Sequence, residues 1–280
     1  MTEQAETRTV VITGSTRGIG FGLAAQFLKR GHNVVLSGRR QDTVDNSAAA
    51  LTANRYAGRC IGIACDVVDF AQVENLWRQG AKVFGRIDIW INNAGIINTY
   101  RPVGQLTDAD IAPVIETNLS GVMNGTKIAA KAMMTQDADA RGLRGAIYNF
   151  EGFGSDGMTR AGVSVYGTTK RAITYFTAAT AKELKGTGVI AGFLQPGIVV
   201  TELSLGDAWG RPAAEIKRAK KFVSMFGDPV EPVATFMTER ILTNVKNGAR
   251  INWLNLGKLL WRVLTAKVSK RDPIAEAGLQ

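Results

Sequence analysis

The stretch "TVVITGSTRGIG", Thr9 to Gly20, decides how the rest of the chain is read. Its first six residues form a β-branched, apolar run with the composition of a buried strand. Glycines then recur at 14, 18 and 20, and "GFGLAAQFLKRG" (20–31) follows with apolar residues at helical spacing up to Gly31. Strand, glycine-rich turn and helix in that order predict the opening unit of an α/β sheet. Glycines in such a turn let the backbone bend sharply and approach a pyrophosphate, which rests on the helix N-terminus. Alone, the pattern is equally a tight strand–helix turn; its place between first strand and first helix favours the nucleotide reading.

Outward from this unit the alternation continues. "NVVLSG" (33–38), "CIGIACDV" (60–67), "DIWINNAG" (88–95), "GAIYNF" (145–150) and "GVIAGFLQPG" (188–197) read as further strands, with helical patterns over 70–84, 107–134 and 165–185. Pro113 falls inside the second of these and predicts a late start or a kink. Near-continuous apolar strands separated by helices predict a doubly wound parallel sheet in three layers, α/β, as one domain over 1–250 with a helical extension over 251–280. Such sheets bind ligands beyond the carboxyl ends of their strands.

Composition narrows the class. The chain has 280 residues, 45% apolar and 21% charged, which suits one large α/β domain. No run approaches a transmembrane span, and "MTEQAETRT" lacks the apolar core of a signal peptide, so the expected setting is cytoplasmic. Two cysteines, Cys60 and Cys65, and one histidine, His32, do not supply a typical zinc site, and no metal is expected. The net charge is +10, with seven basic and no acidic residues from Lys246 to Arg271. No nucleic-acid-binding motif accompanies that charge, and no nucleic-acid partner is expected.

Cofactor preference is read at the end of the second strand. An acidic residue there would accept hydrogen bonds from the adenosine ribose and repel a 2′-phosphate. Here "SGRR" places Arg39 and Arg40, and Arg17 lies within the glycine turn. Guanidinium groups match phosphate in charge and geometry. The reading is NADP(H), with Arg39 and Arg17 as main contacts and Gly14, Ser15, Thr16, Gly18, Ile19 and Gly20 forming the turn.

Together, Thr13-Gly-x-x-x-Gly-x-Gly20, Cys65-Asp66-Val67, Asn92-Asn-Ala-Gly95, Asn118 in "TNLSG", Tyr166-x-x-x-Lys170 and Pro196-Gly197 with Thr201 resemble the short-chain dehydrogenase/reductase family. The ordered set covers residues 8 to about 202. The resemblance implies a Rossmann-type fold, a nicotinamide cofactor, and hydride transfer to or from a carbonyl carbon. It implies that Asp66 and Val67 border the adenine and that Asn92, Asn93, Ala94 and Gly95 shape the crevice. Pro196, Gly197, Val199 and Thr201 would flank the nicotinamide, and a homodimer or homotetramer would form on the long helices. Tyr166 and Lys170, four apart, share one helix face. A free tyrosine titrates near pH ~10, and a nearby ammonium with a bound cationic ring would lower that value. Tyr166 would then exchange the proton, Lys170 hold the ribose, and Asn118 anchor a water.

The family's serine position, thirteen residues before the tyrosine, holds Phe153. Ser155, Thr159 and Ser164 are the hydroxyls available, and Ser155 is chosen as carbonyl-oxygen donor because it can turn back from the strand end. Ser164 could equally be an N-cap. The loop "NFEGFGSDG" with "VYGTTK" looks like the chlorophyll b reductase branch, which implies a formyl group on a large flat tetrapyrrole as substrate. Glu151 either orients this loop or is plain surface.

Residues 202–229 match the family's substrate-covering segment, where Leu203, Leu205, Trp209, Phe222, Met225 and Phe226 offer an apolar wall to a small hydrophobic carbonyl compound. In the tail, Leu256, Leu260, Val263 and Leu264 fall at helical spacing, with Lys258 and Arg262 on another face. Such a helix packs on its own core or a sister subunit, or lies peripherally on an anionic membrane. The leading function is an NADPH-dependent carbonyl reductase. The alternatives are an NADP-dependent alcohol dehydrogenase working oxidatively and a non-catalytic NADP(H) sensor.

Overall fold

A computed structural model describes residues 6–206, 220, 222–265 and 271–277. Seven parallel strands run in the order β3-β2-β1-β4-β5-β6-β7. They are β1 Thr9–Ile12, β2 Asn33–Gly38, β3 Cys60–Ala64, β4 Ile89–Asn92, β5 Gly145–Phe150, β6 Val189–Gln195 and β7 Arg250–Asn252. The six strands expected are present, and the seventh lies across the boundary drawn at residue 250. Its three residues are too few to show a period.

Alternating side chains cover the two faces. Val10, Ile12, Tyr148 and Leu194 pack toward α1 (Gly18–Lys29) and α8 (Val230–Thr243). Val11, Val35, Trp90, Ile147 and Ala191 form the core on the opposite face, under α3 (Phe70–Phe84), α5 (Gly121–Met133) and α6 (Ser164–Glu183). Helix α2 (Gln41–Thr52) covers the β2–β3 edge. Strand order reverses between β1 and β4, the place where such sheets open a ligand crevice.

Of the late start or kink expected from Pro113, the late start is not present. Helix α4 (Asp108–Ile115) starts on time behind a Thr107–Asp110 capping box and carries Pro113 inside it. The next five residues, Glu116–Ser120, form a π turn before α5. A widened turn within a helix is a recurrent feature of functional sites.

Sequence reasoning left unnoticed a buried polar network between the layers. The Asn92 side chain accepts from Trp90 Nε1 at 2.8 Å and donates to Thr126 Oγ1 at 3.0 Å and Asn149 Oδ1 at 2.7 Å. Asn149 in turn donates to Thr177 Oγ1 at 2.9 Å. β4, β5, α5 and α6 are thus joined by side-chain bonds, and all five groups are buried.

The segment after β6 contains α7 (Glu202–Gly206) and, farther on, Asp228, whose backbone pairs with Ile198 and Val200. Trp209 and the stretch 207–219 lie outside the described residues, as do the side chains of Leu205, Leu256 and Val263. Two short helices follow β7: α9 (Leu256–Thr265) and α10 (Pro273–Glu276). The cations of α9 do not form a free basic face. Arg262 bonds both oxygens of buried Asp228 at 2.7 and 2.6 Å, and Lys258 lies over the Trp253 ring. Arg271 and Trp253 Nε1 bond the same carboxylate. A buried carboxylate needs such partners, so part of the C-terminal charge excess is used internally. The outward side of α9 carries Leu260, Trp261 and Leu264. Among the described residues, no helix is long and apolar enough to cross a membrane.

Replacing Asn92 with Leu strands the Trp90 indole N–H and leaves Asn149 Oδ1 with only the long bond from Thr126 Oγ1 at 3.4 Å. The expected cost is about 2–4 kcal/mol of unfolding free energy, read as a lower urea midpoint; an unchanged midpoint would show the network is not structural.

Candidate functional site

A crevice of about 2020 Å³ opens at the carboxyl ends of the strands. At one end lies the turn after β1. Gly14 and Gly18 adopt φ +60° and +58°, where a side chain is strained. A Cβ on Gly14 would stand 2.7 Å from Ala94 Cα, so glycine lets the β1 and β4 turns meet. Thr13 Oγ1 accepts from the backbone N–H of Asn93 at 3.0 Å and of Ala94 at 3.1 Å. The Asn93 side chain donates to the carbonyls of Thr13 and Gly14. Thr13 sits outside the expected cofactor contacts yet couples the two turns. No side chain caps the start of α1, and no acid lies in its first turn. Its first N–H groups point outward with a positive dipole, which suits a pyrophosphate.

The expected cofactor residues divide into two groups. Gly14, Thr16, Arg17, Gly18, Ile19, Arg39, Asp66 and Val67 line this end of the crevice. Asn93, Ala94, Gly95, Pro196, Gly197, Val199 and Thr201 continue the lining toward Tyr166 and Lys170. Ser15, Gly20, Arg40 and Asn92 do not line it. Ser15 donates to the Ile12 carbonyl at 2.7 Å and accepts from Ser37 N–H at 3.0 Å, knitting the turn to β2. A Cβ on Gly20 would lie 2.5 Å from Asn93 Nδ2, so this glycine serves packing.

Arg40 turns away from the crevice onto Asp42, bonding it at 3.0 Å through Nε and holding that carboxyl down to about 2. Arg39 has no acidic partner among the described residues. Arg17 pairs with Glu202 across the crevice. Both side chains are mostly solvent-exposed, where such a pair contributes little. The residues fit a dinucleotide: a tight glycine turn and an uncapped helix start, with Arg39 on the crevice wall at the end of β2.

The other end is built by β5, the π turn and α6. Lys170 Nζ donates to the Phe150 carbonyl at 3.2 Å and lies 5.6 Å from the Tyr166 ring centre. Burial pushes the Tyr166 phenol up to about 12 and pulls Lys170 down to about 8. The expected lowering involves a bound cationic ring as well as the ammonium; in the chain by itself, removing the phenolate from water raises the phenol. The phenol keeps its proton at neutral pH, the state a proton donor requires.

Asn118 is fully buried and is not on the crevice wall. Its side chain accepts from Ile96 N–H at 2.8 Å and donates to the Ile96 carbonyl at 2.8 Å and to Thr169 Oγ1 at 3.2 Å. It thereby joins the loop after β4 to α6. A Cβ on Gly95 would stand in ordinary contact, 3.4 Å from Asn118 Oδ1 and 3.8 Å from Lys170 Nζ, so Gly95 lies between these two side chains.

Ser155 was expected to face the crevice as a hydroxyl donor, and the structure turns it elsewhere. The residue is buried, accepts from Gly152 N–H at 3.0 Å and donates to the Lys170 carbonyl at 3.3 Å. It fastens the loop to α6 because a hydroxyl enclosed there must satisfy itself on backbone. Thr159 is exposed off the crevice wall. Ser164 is the first residue of α6, and the N-cap is Val163. The place against the Tyr166 hydroxyl belongs to Gly152, where a Cβ would approach to 2.5 Å. Asn98, also unanticipated, accepts from Tyr166 N–H at 3.2 Å and donates to the Gly162 carbonyl at 3.2 Å, fixing the entry to α6. Glu151 is buried, not plain surface. Phe153, Met158, Val163, Leu203, Phe222 and Phe226 add apolar wall beyond Tyr166.

Comparison with known proteins agrees with this geometry. The chain is 35% identical over 236 residues to chlorophyll(ide) b reductase NOL, chloroplastic, of Arabidopsis thaliana, covering 83% of this chain and 64% of that protein. It is 33% identical over 278 residues to the probable chlorophyll(ide) b reductase NYC1, chloroplastic, of the same plant, covering 94% and 54%. The chain thus spans little more than half to just under two thirds of these relatives. A solved gluconate 5-dehydrogenase from Burkholderia cenocepacia J2315, in complex with NADP and tartrate, superposes with TM-score 0.72 at 26% identity, covering 90% of this chain and 95% of that one. The short chain dehydrogenase family model matches residues 8–207, from β1 through the start of the covering segment. With the parallel sheet, the glycine turn and the Tyr166–Lys170 pair on one crevice, the chain belongs to the short-chain dehydrogenase family.

Proposed function

We propose that this protein is an NADPH-dependent reductase of a bulky apolar carbonyl compound, of the class of a formyl-bearing tetrapyrrole. The observation that carries the reading is the crevice itself, with Arg39 and the glycine turn at one end and Tyr166 with Lys170 at the other. Arg39, joined by Arg17, binds the 2′-phosphate. Gly14, Thr16, Gly18 and Ile19 bring backbone to the pyrophosphate, while Asp66 and Val67 border the adenine. Asn93, Ala94 and Gly95 shape the middle of the site, and Pro196, Gly197, Val199 and Thr201 flank the nicotinamide. NADPH, when bound, supplies the hydride.

Tyr166, protonated at neutral pH, gives its phenolic proton to the carbonyl oxygen. Lys170 holds the ribose and places positive charge beside the phenol. Asn118 fixes the turn that backs Lys170. Ser155 serves the reaction through the loop. The substrate class rests on the apolar wall and on the likeness to two proteins named chlorophyll(ide) b reductases. We place the homodimer or homotetramer interface on α5 and α6, where Met123 and Tyr175 are exposed.

Screening NADPH oxidation against aldehydes and ketones, formyl tetrapyrroles included, tests the reading; no turnover with any of them removes it. Arg39→Asp is expected to raise the KM for NADPH about 10- to 100-fold, the worth of one charged contact, with a small effect on NADH. Equal effects on the two cofactors would reject the 2′-phosphate role. Tyr166→Phe should cost about 10²–10⁴ in turnover, as for loss of a general acid. Ser155→Ala removes loop bonds and no crevice group, so less than about tenfold loss is expected. A loss for Ser155→Ala as large as that of Tyr166→Phe would restore Ser155 as the direct donor.

A further inference from the structure

The end of β5 holds a buried charge that the chemistry above does not use. The Glu151 side chain is 1% exposed, yet the residue lines the crevice between Phe150 and Gly152. The Phe150 carbonyl holds Lys170, and Gly152 lies against the Tyr166 hydroxyl. Enclosing a carboxylate in such a place is costly unless cations and donors meet it. Oε1 accepts from Thr174 Oγ1 at 2.8 Å and from Arg250 Nη2 at 2.9 Å. Oε2 is buried with no hydrogen-bond partner.

The clamp reaches two elements that bear on Lys170. Thr174 follows Lys170 by one turn of α6, so the bond to Glu151 fixes that turn against β5. Arg250 comes from β7 across the Phe193 ring, 4.7 Å from its centre. The carboxylate is therefore held through Oε1, and the Thr174 hydroxyl that meets it also reaches the Lys170 carbonyl at 3.2 Å.

We propose that Glu151 is a positioning residue for Lys170: its carboxylate, clamped by Thr174 and Arg250, holds the Lys170 ammonium charged and in place beside Tyr166. The inference rests on the reductase reading only for its catalytic consequence. Burial draws Lys170 down to about 8, and the charge of Glu151 opposes that fall. Other titratable or charged groups around the pair are Tyr166 and Arg171 of α6, Arg250 of β7 and Asp156 of the loop. Arg171 is engaged with the Ser155 carbonyl at 2.8 Å, and Asp156 with Met158 N–H at 2.9 Å. The π turn offers uncharged Thr117 and Asn118.

The sign follows directly. Without the carboxylate, burial acts on Lys170 unopposed, and the ammonium is lost at lower pH. Reduction, which needs that charge beside Tyr166, then declines at lower pH.

The test uses the full chain labelled with ¹³Cε-lysine, titrated by NMR, with the Lys170 signal assigned by its absence in Lys170→Arg. Glu151→Gln keeps an oxygen for Thr174 and Arg250 while removing the charge. Its Lys170 midpoint is expected at least about one pH unit below that of the wild-type chain, the lower end of what a neighbouring opposite charge contributes. Thr174→Val removes a holder of Oε1 and no charge, and should move the midpoint downward because the carboxylate is then held less firmly near Lys170. It decides the question if Glu151→Gln fails to fold. A midpoint equal to wild type in the folded variant overturns the proposal. Where turnover is present, the alkaline limb of kcat/KM should move with the midpoint. Absence of carbonyl reduction by the wild-type chain removes the reductase reading instead, and the Lys170 midpoints still decide the role of Glu151.

Discussion

Two buried side-chain amides, those of Asn92 and Asn149, constrain the arrangement of everything around the crevice. Asn92 ties β4 to β5 and α5, and Asn149 passes the connection to Thr177 on α6. Each group is enclosed, so breaking one bond leaves a polar atom without solvent to replace its partner. Helix α6 can slide along the sheet only by paying that penalty, and Tyr166 and Lys170 travel with it. The register of the site is therefore set by hydrogen bonds two turns along the same face of α6 from Lys170.

Three consecutive residues at the end of β5 then complete the arrangement. The Phe150 carbonyl receives Lys170, Glu151 is locked to α6 and β7, and Gly152 leaves room for the Tyr166 hydroxyl. Burial drives the phenol and the amine in opposite directions, and both shifts favour the uncharged form. The same enclosure that protonates the phenol thus threatens the charge on its neighbour, which gives a nearby carboxylate physical purpose.

Legibility differed between residues for definable reasons. The parallel strands were readable because burial on both faces leaves nearly continuous apolar runs. The positions of Gly14, Gly18, Tyr166 and Lys170 on one crevice followed from spacing, since each sits where a strand ends or a helix face turns inward. Arg39 was legible as the main cation after the second strand, whereas the turning of Arg40 onto Asp42 was not anticipated. Ser155 was legible as a hydroxyl near the strand end, but its direction depends on where the Gly152 N–H and Lys170 carbonyl fall. Arg262 reads as a surface cation on an amphipathic helix until Asp228, distant in sequence, is brought beneath it.

Local pattern by itself determined the sheet class, the order of strand and helix, the glycine turn and the pairing of Tyr166 with Lys170. These depend on residue type and on periods of two and 3.6, which are written along the chain. Only the tertiary structure decided which polar groups are enclosed, which partners they meet, and hence which protonation states the site favours. Desolvation and long-range hydrogen bonds arise from residues far apart in sequence, and no local spacing encodes them.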